Sequence, residues 1–246
     1  EGRLIDFAAH MERLRRSLRE LAIELAVSDD ELLQIHRQLL EQNAVTEGIV
    51  YCQVSRGVQD REFLFHDVQL TPSLILFTQE KNLLNNPVYK KGLRVTTRPD
   101  LRWGRCDVKT TQLLYSSMVK SEVRTQGYDD AWLIRDGFVN EGTSSNVWLV
   151  QEGRRLVTPS LSNSLLAGIT RAAIMRFAQE HGYEVVESSF TAEEAKAAQE
   201  AFVTSATSFV FPVISVDDSP IGDGAPGKVA GELLQIYINE SLKHAI

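Results

Sequence analysis

The sequence predicts an α+β protein in two parts, and three observations carry that expectation. Two amphipathic helical patterns open the chain. Short strand-like runs separated by turn residues dominate the remainder. Helices interrupt those runs without regular alternation, which points away from a doubly wound parallel sheet.

The first helix is expected over about residues 7–25. Phe7, Met11, Leu14, Leu18, Leu21 and Leu25 recur in steps of four and three, which lays one apolar stripe along a helix. Ser28 and Glu31 read as a capping box that opens a second helix through Leu32, Leu33, Ile35, Leu39 and Leu40. Residues 2–5 read as a strand already under way in a chain that opens at Glu1, so a preceding segment is expected to be missing. Strands at 49–54 and 74–78, separated by a polar loop over 56–67, complete a small α/β unit, residues 1–84. Asn85-Asn86-Pro87 reads as its linker.

The larger part, residues 88–246, is expected to be strand-rich. A strand at 93–97 precedes a helix capped by Thr110 or Thr111 that runs to about Arg124. Residues 131–134 and 138–139 flank Asp136-Gly137, a hairpin turn signal, and 147–150 with 156–157 suggest another hairpin. A helix comes next, from about Ile169 to Gly182, where glycine suits a helix end. Strands at 202–204 and 213–216 and a helix from about Gly227 close the chain.

A hydrophobic fraction of 43% in 246 residues can support a sizeable core. The net charge of −7, with no basic stripe, argues against general nucleic-acid or anionic-membrane affinity. No apolar run approaches the roughly 20 residues of a membrane helix, and no signal-peptide pattern is present. Cys52 and Cys106 form neither a CxxC nor a metal-spaced cluster with His. The reading is two ordinary thiols, no metal and a cytoplasmic setting.

Several residues could carry chemistry, and each alone also reads as an ordinary surface or turn residue. Gly168-Ile169-Thr170 opens a helix, where free N–H groups and the dipole attract anions. Thr204-Ser205-Ala206-Thr207-Ser208 is a hydroxyl-rich turn after a strand that could add donors. Arg13 flanks the apolar stripe of the first helix. Lys109, just before a helix expected near Thr110, would feel the positive dipole end, which favours a neutral, nucleophilic amine. Glu141 precedes a tight Gly142-Thr143-Ser144-Ser145-Asn146 turn, where a buried carboxylate could hold a pyridinium nitrogen protonated.

In this order along the chain, Arg13, Lys109 within Arg-Cys-Asp-Val-Lys, Glu141-Gly-Thr-Ser-Ser-Asn146, Gly168-Ile-Thr-Arg171 and Thr204-Ser-Ala-Thr207 resemble the class IV aminotransferases of fold type IV. Among these the sequence is most similar to the D-amino acid aminotransferases. The resemblance covers essentially the whole chain. It implies pyridoxal 5'-phosphate as cofactor and Lys109 as the Schiff-base lysine and proton shuttle. Glu141 would meet the pyridine nitrogen and Leu166 would pack on the ring, while Arg13, Ile169, Thr170, Ser205 and Ala206 would hold the phosphate. Arg61 matches the arginine that binds the substrate carboxylate, a task that suits a bidentate guanidinium. The D-amino acid enzymes commonly carry Arg-x-His in that loop, whereas the third residue is Phe63 here, with Arg56 or His66 as candidates to compensate. The activity implied is transamination between a D-amino acid and a 2-oxo acid by a homodimer. The alternatives are an (R)-selective amine or branched-chain L-amino acid transaminase, aminodeoxychorismate lyase, or a non-catalytic module of the same fold.

Overall fold

The leading apolar stripe folds as α1 (Phe7–Glu20), which buries Met11 and Leu18. It stops short of residue 25 because Ala22 turns into the left-handed region at φ 49°. Two arginines take carbonyls at and beyond its end. Arg56 donates to Ala22 O at 2.9 Å and also to Leu21 O, while Arg15 donates to Leu25 O at 3.2 Å and also to Val27 O. Side-chain donors there substitute for another helical turn, which the stripe alone could not signal.

The capping box is present. Ser28 Oγ accepts from Glu31 N at 3.2 Å, and the Glu31 carboxylate accepts from Ser28 N at 2.7 Å, opening α2 (Asp29–Gln42). β1 (Gly48–Ser55) and β2 (Ser73–Glu80) pair antiparallel over their full length. Residues 2–5 form no strand. Leu4 instead exchanges backbone hydrogen bonds of 2.8 and 3.0 Å with Ile246.

The computed structural model describes residues 2–64 and 70–246. The chain divides into two units, Glu1–Leu83 with Ala245–Ile246, and Leu84–His244. Among the described residues no helix is long and apolar enough to cross a membrane.

The second unit begins with a single turn, α3 (Val88–Lys91), and β3 (Leu93–Pro99). After an irregular stretch come α4 (Leu114–Thr125), β4 (Asp130–Arg135) and β5 (Phe138–Gly142). The β4–β5 turn places Asp136 and Gly137 at φ 53° and 85°, as a primed hairpin turn requires. Next are β6 (Asn146–Gln151), β7 (Arg155–Thr158), α5 (Ile169–Glu180), β8 (Glu184–Glu187), α6 (Ala192–Lys196) and β9 (Glu200–Ser205). β10 (Phe209–Val216), β11 (Ser219–Pro220) and α7 (Lys228–Lys243) close the fold. The sequence pattern does not separate β8 and α6 from the adjoining loops, because four- and five-residue elements hold too few periods.

Among the described residues these strands form one mixed nine-stranded sheet in the order β5-β4-β3-β10-β9-β6-β7-β8, with β11 on β10. β5 and β6 lie five places apart in that order, roughly 24 Å across a flat sheet at about 4.8 Å per strand. Yet only residues 143–145 join them, and Gly142 to Asn146 spans at most about 14 Å. The sheet must therefore curl until the end of β5 meets the start of β6, and Gly142 N donates to Ser145 O at 2.8 Å across that turn. Val95, Trp132, Val147, Leu149 and Val203 fill one core of this unit.

Ser28→Ala, which deletes the side-chain half of the capping box, is expected to cost about 1 kcal/mol. It should appear as a lower urea midpoint for the small unit with an unchanged slope.

Candidate active site

The curl brings the tip of β5 to the tip of β6, and the side chain at the junction is Glu141. It is 4% exposed. Three donors meet its carboxylate: Arg102 Nη1 on Oε1 at 2.5 Å, and Asn146 Nδ2 and Leu166 N on Oε2, each at 3.2 Å. Burial pushes the Glu141 carboxyl above its ordinary value, while the Arg102 charge and hydrogen bond and the Leu166 N–H pull it back down.

Arg102 is held in turn by Asp100, through Nε on Oδ1 at 2.9 Å and Nη2 on Oδ2 at 2.8 Å. The Asp100 side chain is fully buried. Asn140 Nδ2 donates to its Oδ2 at 2.8 Å, and Arg135 lies 3.2 Å away. Burial alone would raise the Asp100 carboxyl. The hydrogen bonds and charge of Arg102 outweigh that and hold it below the ordinary carboxylate range, while the Arg102 guanidinium is shifted up. Two guanidinium and two carboxyl side chains thus meet in a closed cluster that knits the residues after β3, β4, β5 and the 160–168 segment together.

Asn146 joins three of the expected segments. It bonds Glu141 and Leu166 O (2.9 Å), and it opposes Thr204 in the β6–β9 register. A Cβ on Gly168 would lie 2.1 Å from its Oδ1, so only glycine fits there. Gly168 begins α5 with no side-chain cap, which leaves the first N–H groups of Ile169 and Thr170 available. Thr170 is 2% exposed and its hydroxyl has no partner among the described residues; the Ser145 hydroxyl is likewise orphaned. An uncapped helix start and an orphaned threonine hydroxyl supply donors for a phosphate, and the buried carboxylate supplies an acceptor for a pyridinium N–H, a set that fits a phosphorylated pyridinium.

Ser205 accepts within its own turn, from Ser208 N at 3.2 Å, and Ala206 is exposed beside it. Leu166 is half-buried, its backbone fixed on both sides. Arg171 points elsewhere. Its guanidinium is buried against Glu187 at 2.6 Å and Pro159 O at 2.9 Å, tying α5 to β8.

Lys109 is exposed, after buried Cys106, Asp107 and Val108. The expectation that it precedes a helix start is corrected, since α4 begins only at Leu114. Thr110 Oγ1 accepts from Gln112 N at 3.3 Å and so closes a local turn instead of capping a helix. The helix dipole therefore gives no account of Lys109. Its segment is tied to the site otherwise: Asp107 N donates to Asn163 O at 3.3 Å, one residue before Ser164, whose carbonyl accepts from both Arg102 (3.2 Å) and Asn140 (2.7 Å).

Arg13 and Arg61 belong to the other unit. Arg13 is half-buried on α1, where burial lowers its guanidinium to about 10, still cationic at neutral pH. Arg61 is exposed with its guanidinium 5.0 Å over the Phe63 ring, and Arg56 serves the end of α1. His66 lies outside the described residues. The sequence does not single out Arg102, Asp100 or Asn146 individually. Asn146 does close the Glu-Gly-Thr-Ser-Ser-Asn motif, whereas nothing in the local pattern distinguishes Arg102 from a surface arginine.

A curled mixed sheet with a buried carboxylate beside an uncapped helix start suits an enzyme that holds a phosphorylated cofactor. The amino-transferase class IV family model matches residues 1–216, and the chain belongs to that family. D-alanine aminotransferase from Bacillus licheniformis is 36% identical over 231 residues, covering 92% of this chain and 79% of that protein. D-alanine aminotransferase from Staphylococcus aureus (strain N315) is 31% identical over 245 residues, covering 100% and 86%. A solved T.th. branched-chain amino acid aminotransferase with pyridoxamine 5'-phosphate superposes with a TM-score of 0.86 at 25% identity, covering 96% of this chain and 79% of that one.

Two outcomes are expected of the protein without added ligand. Gly168→Ala should be destabilised by about 1–3 kcal/mol, read by urea unfolding, because Asn146 must turn away from Leu166 and Glu141. Asp100→Asn should lose about 3 kcal/mol at neutral pH. The folded Asp100 value is depressed, so its contribution is present above the unfolded value of about 3.9 and vanishes as pH falls through the folded one. The gap from wild type should therefore narrow as pH falls below about 4.

Proposed function

We propose that this protein is a pyridoxal-phosphate-dependent aminotransferase that exchanges an amino group between a D-amino acid and a 2-oxo acid. The observation that carries the reading is the buried Glu141 carboxylate, joined through Asn146 to the uncapped start of α5. One end of that arrangement suits a protonated ring nitrogen and the other a phosphate. Family membership and the D-alanine aminotransferase relatives supply the reaction class.

In this reading Glu141 holds the ring nitrogen, and Leu166 covers one face of the ring. Ile169, Thr170, Ser205 and Ala206, with Arg13, hold the phosphate. Bound there, the cofactor supplies an electron-withdrawing ring that accepts the electron pair left when the α-proton departs. The exposed Lys109 amine is the covalent attachment point, and it takes the α-proton from the donor and returns it on the other side of the exchange. Arg61 receives the substrate carboxylate by its planar fork. The same reading places the protein in the cytoplasm as a homodimer.

Phe63 supports a second reading. Where a histidine would offer polar contact to the substrate carboxylate, an exposed apolar ring beside Arg61 favours a hydrophobic substituent instead. An (R)-selective amine donor or a branched-chain L-amino acid fits that chemistry.

With pyridoxal phosphate added, wild type should acquire a visible absorption band that borohydride bleaches. Lys109→Ala should acquire none, and mass spectrometry should find the reduced adduct on Lys109. Turnover of D-alanine above L-leucine and (R)-1-phenylethylamine is the expected order, and the reverse would establish the second reading. An adduct on another lysine would refute the site.

A further inference from the structure

The proposed chemistry uses Glu141 but leaves unexplained the arginine that touches it more closely than any other donor. We infer that Arg102 is a positioning residue for the ring nitrogen. Clamped by Asp100, it holds the Glu141 carboxylate in its charged form and fixed in direction, so that a protonated pyridine finds an anion rather than a neutral acid. The inference rests on the proposed function, and it concerns a residue that touches neither substrate nor cofactor in that reading.

The geometry supports it in three ways. First, the guanidinium is divided between two carboxylates: Nε and Nη2 go to Asp100 and Nη1 goes to Glu141 Oε1 at 2.5 Å. A planar fork held by two bonds to one partner has no freedom left in how it presents the third N–H. Second, a carboxylate offers about four acceptor sites. Arg102, Asn146 and Leu166 occupy three among the described residues, which leaves one, on the same Oε1 that Arg102 fixes. Third, the charges balance only with Arg102 present. The charged side chains of the cluster are Asp100, Arg102, Arg135 and Glu141, and the Cys106 thiol, pushed up by burial, adds none. Arg135 pairs with Asp100 and also donates to the Arg102 carbonyl at 3.4 Å, so removing Arg102 leaves Glu141 buried without its cation. A carboxyl in that state takes up a proton.

Carbon-13 NMR of the Glu141 carboxyl in the cofactor-free protein tests this without turnover. Wild type should show the carboxylate at neutral pH. Arg102→Met should shift the titration upward by about one pH unit or more, a tenfold fall in the ratio of ionised to protonated carboxyl at a given pH, and Arg102→Lys should shift it less. Loaded with nitrogen-15-labelled pyridoxal phosphate, wild type should carry a protonated ring nitrogen that Arg102→Met loses. Its kcat should fall at least about tenfold, with KM for D-alanine changed little. A neutral Glu141 in wild type at neutral pH overturns the inference whether or not the variants fold. So does an unshifted titration in a folded Arg102→Met. Should wild type bind no pyridoxal phosphate, the functional reading fails as well; should it load normally while the titration stays put, only the role of Arg102 falls.

Discussion

The buried ion cluster of Asp100, Arg102, Arg135 and Glu141 is the constraint on which the second unit's chemistry rests. Burying charge is costly unless every charge is paired and hydrogen-bonded. Here the Asp100 side chain is fully buried and yet meets Arg102, Arg135 and Asn140. Because the charged partners come from the residues just after β3 and from β4 and β5, none of these can shift without leaving an uncompensated charge. The cluster thus anchors the loop that carries Lys109 and the loop that carries Leu166 to the same strand ends.

The curl of the sheet makes that cluster possible. A three-residue connection between strands five places apart cannot exist on a flat sheet, so the short turn at residues 143–145 and the closed shape imply each other. What the curl creates is a meeting of strand ends: Glu141 next to last in β5, Asn146 opening β6, and Thr204 opposite Asn146 on β9. Gly168 completes the arrangement because Asn146 lies where any larger residue would put its Cβ. Side chains far apart in sequence therefore share a few hydrogen bonds, and the uncapped start of α5 is held at a set distance from the carboxylate.

Much of the secondary structure is legible locally. The capping box at Ser28 and Glu31, the Asp136-Gly137 hairpin and the start of α5 depend on neighbours within a few residues, and the structure contains all three. Where structure and sequence pattern part, a group outside the pattern has intervened. Arg56 and Arg15 take the carbonyls that follow α1 in place of a further helical turn, and Leu4 pairs with the chain's last residue instead of forming a strand. Thr110 caps its own turn, which delays α4 and removes the dipole argument for Lys109.

The sequence by itself determined the α+β class and the family, and it singled out Glu141 as a candidate, because motif residues and periodicity are properties of short stretches of chain. Tertiary structure alone decided that Arg102 and Asp100 stand behind Glu141, that Asn146 binds the two motifs together, and that Arg171 of the Gly-Ile-Thr-Arg segment faces the core. The reason is physical. An arginine's spacing along the chain says nothing about its electrostatic partner. Only the curl of the sheet, set by contacts between residues dozens of positions apart, chooses which carboxylate that arginine will meet out of water.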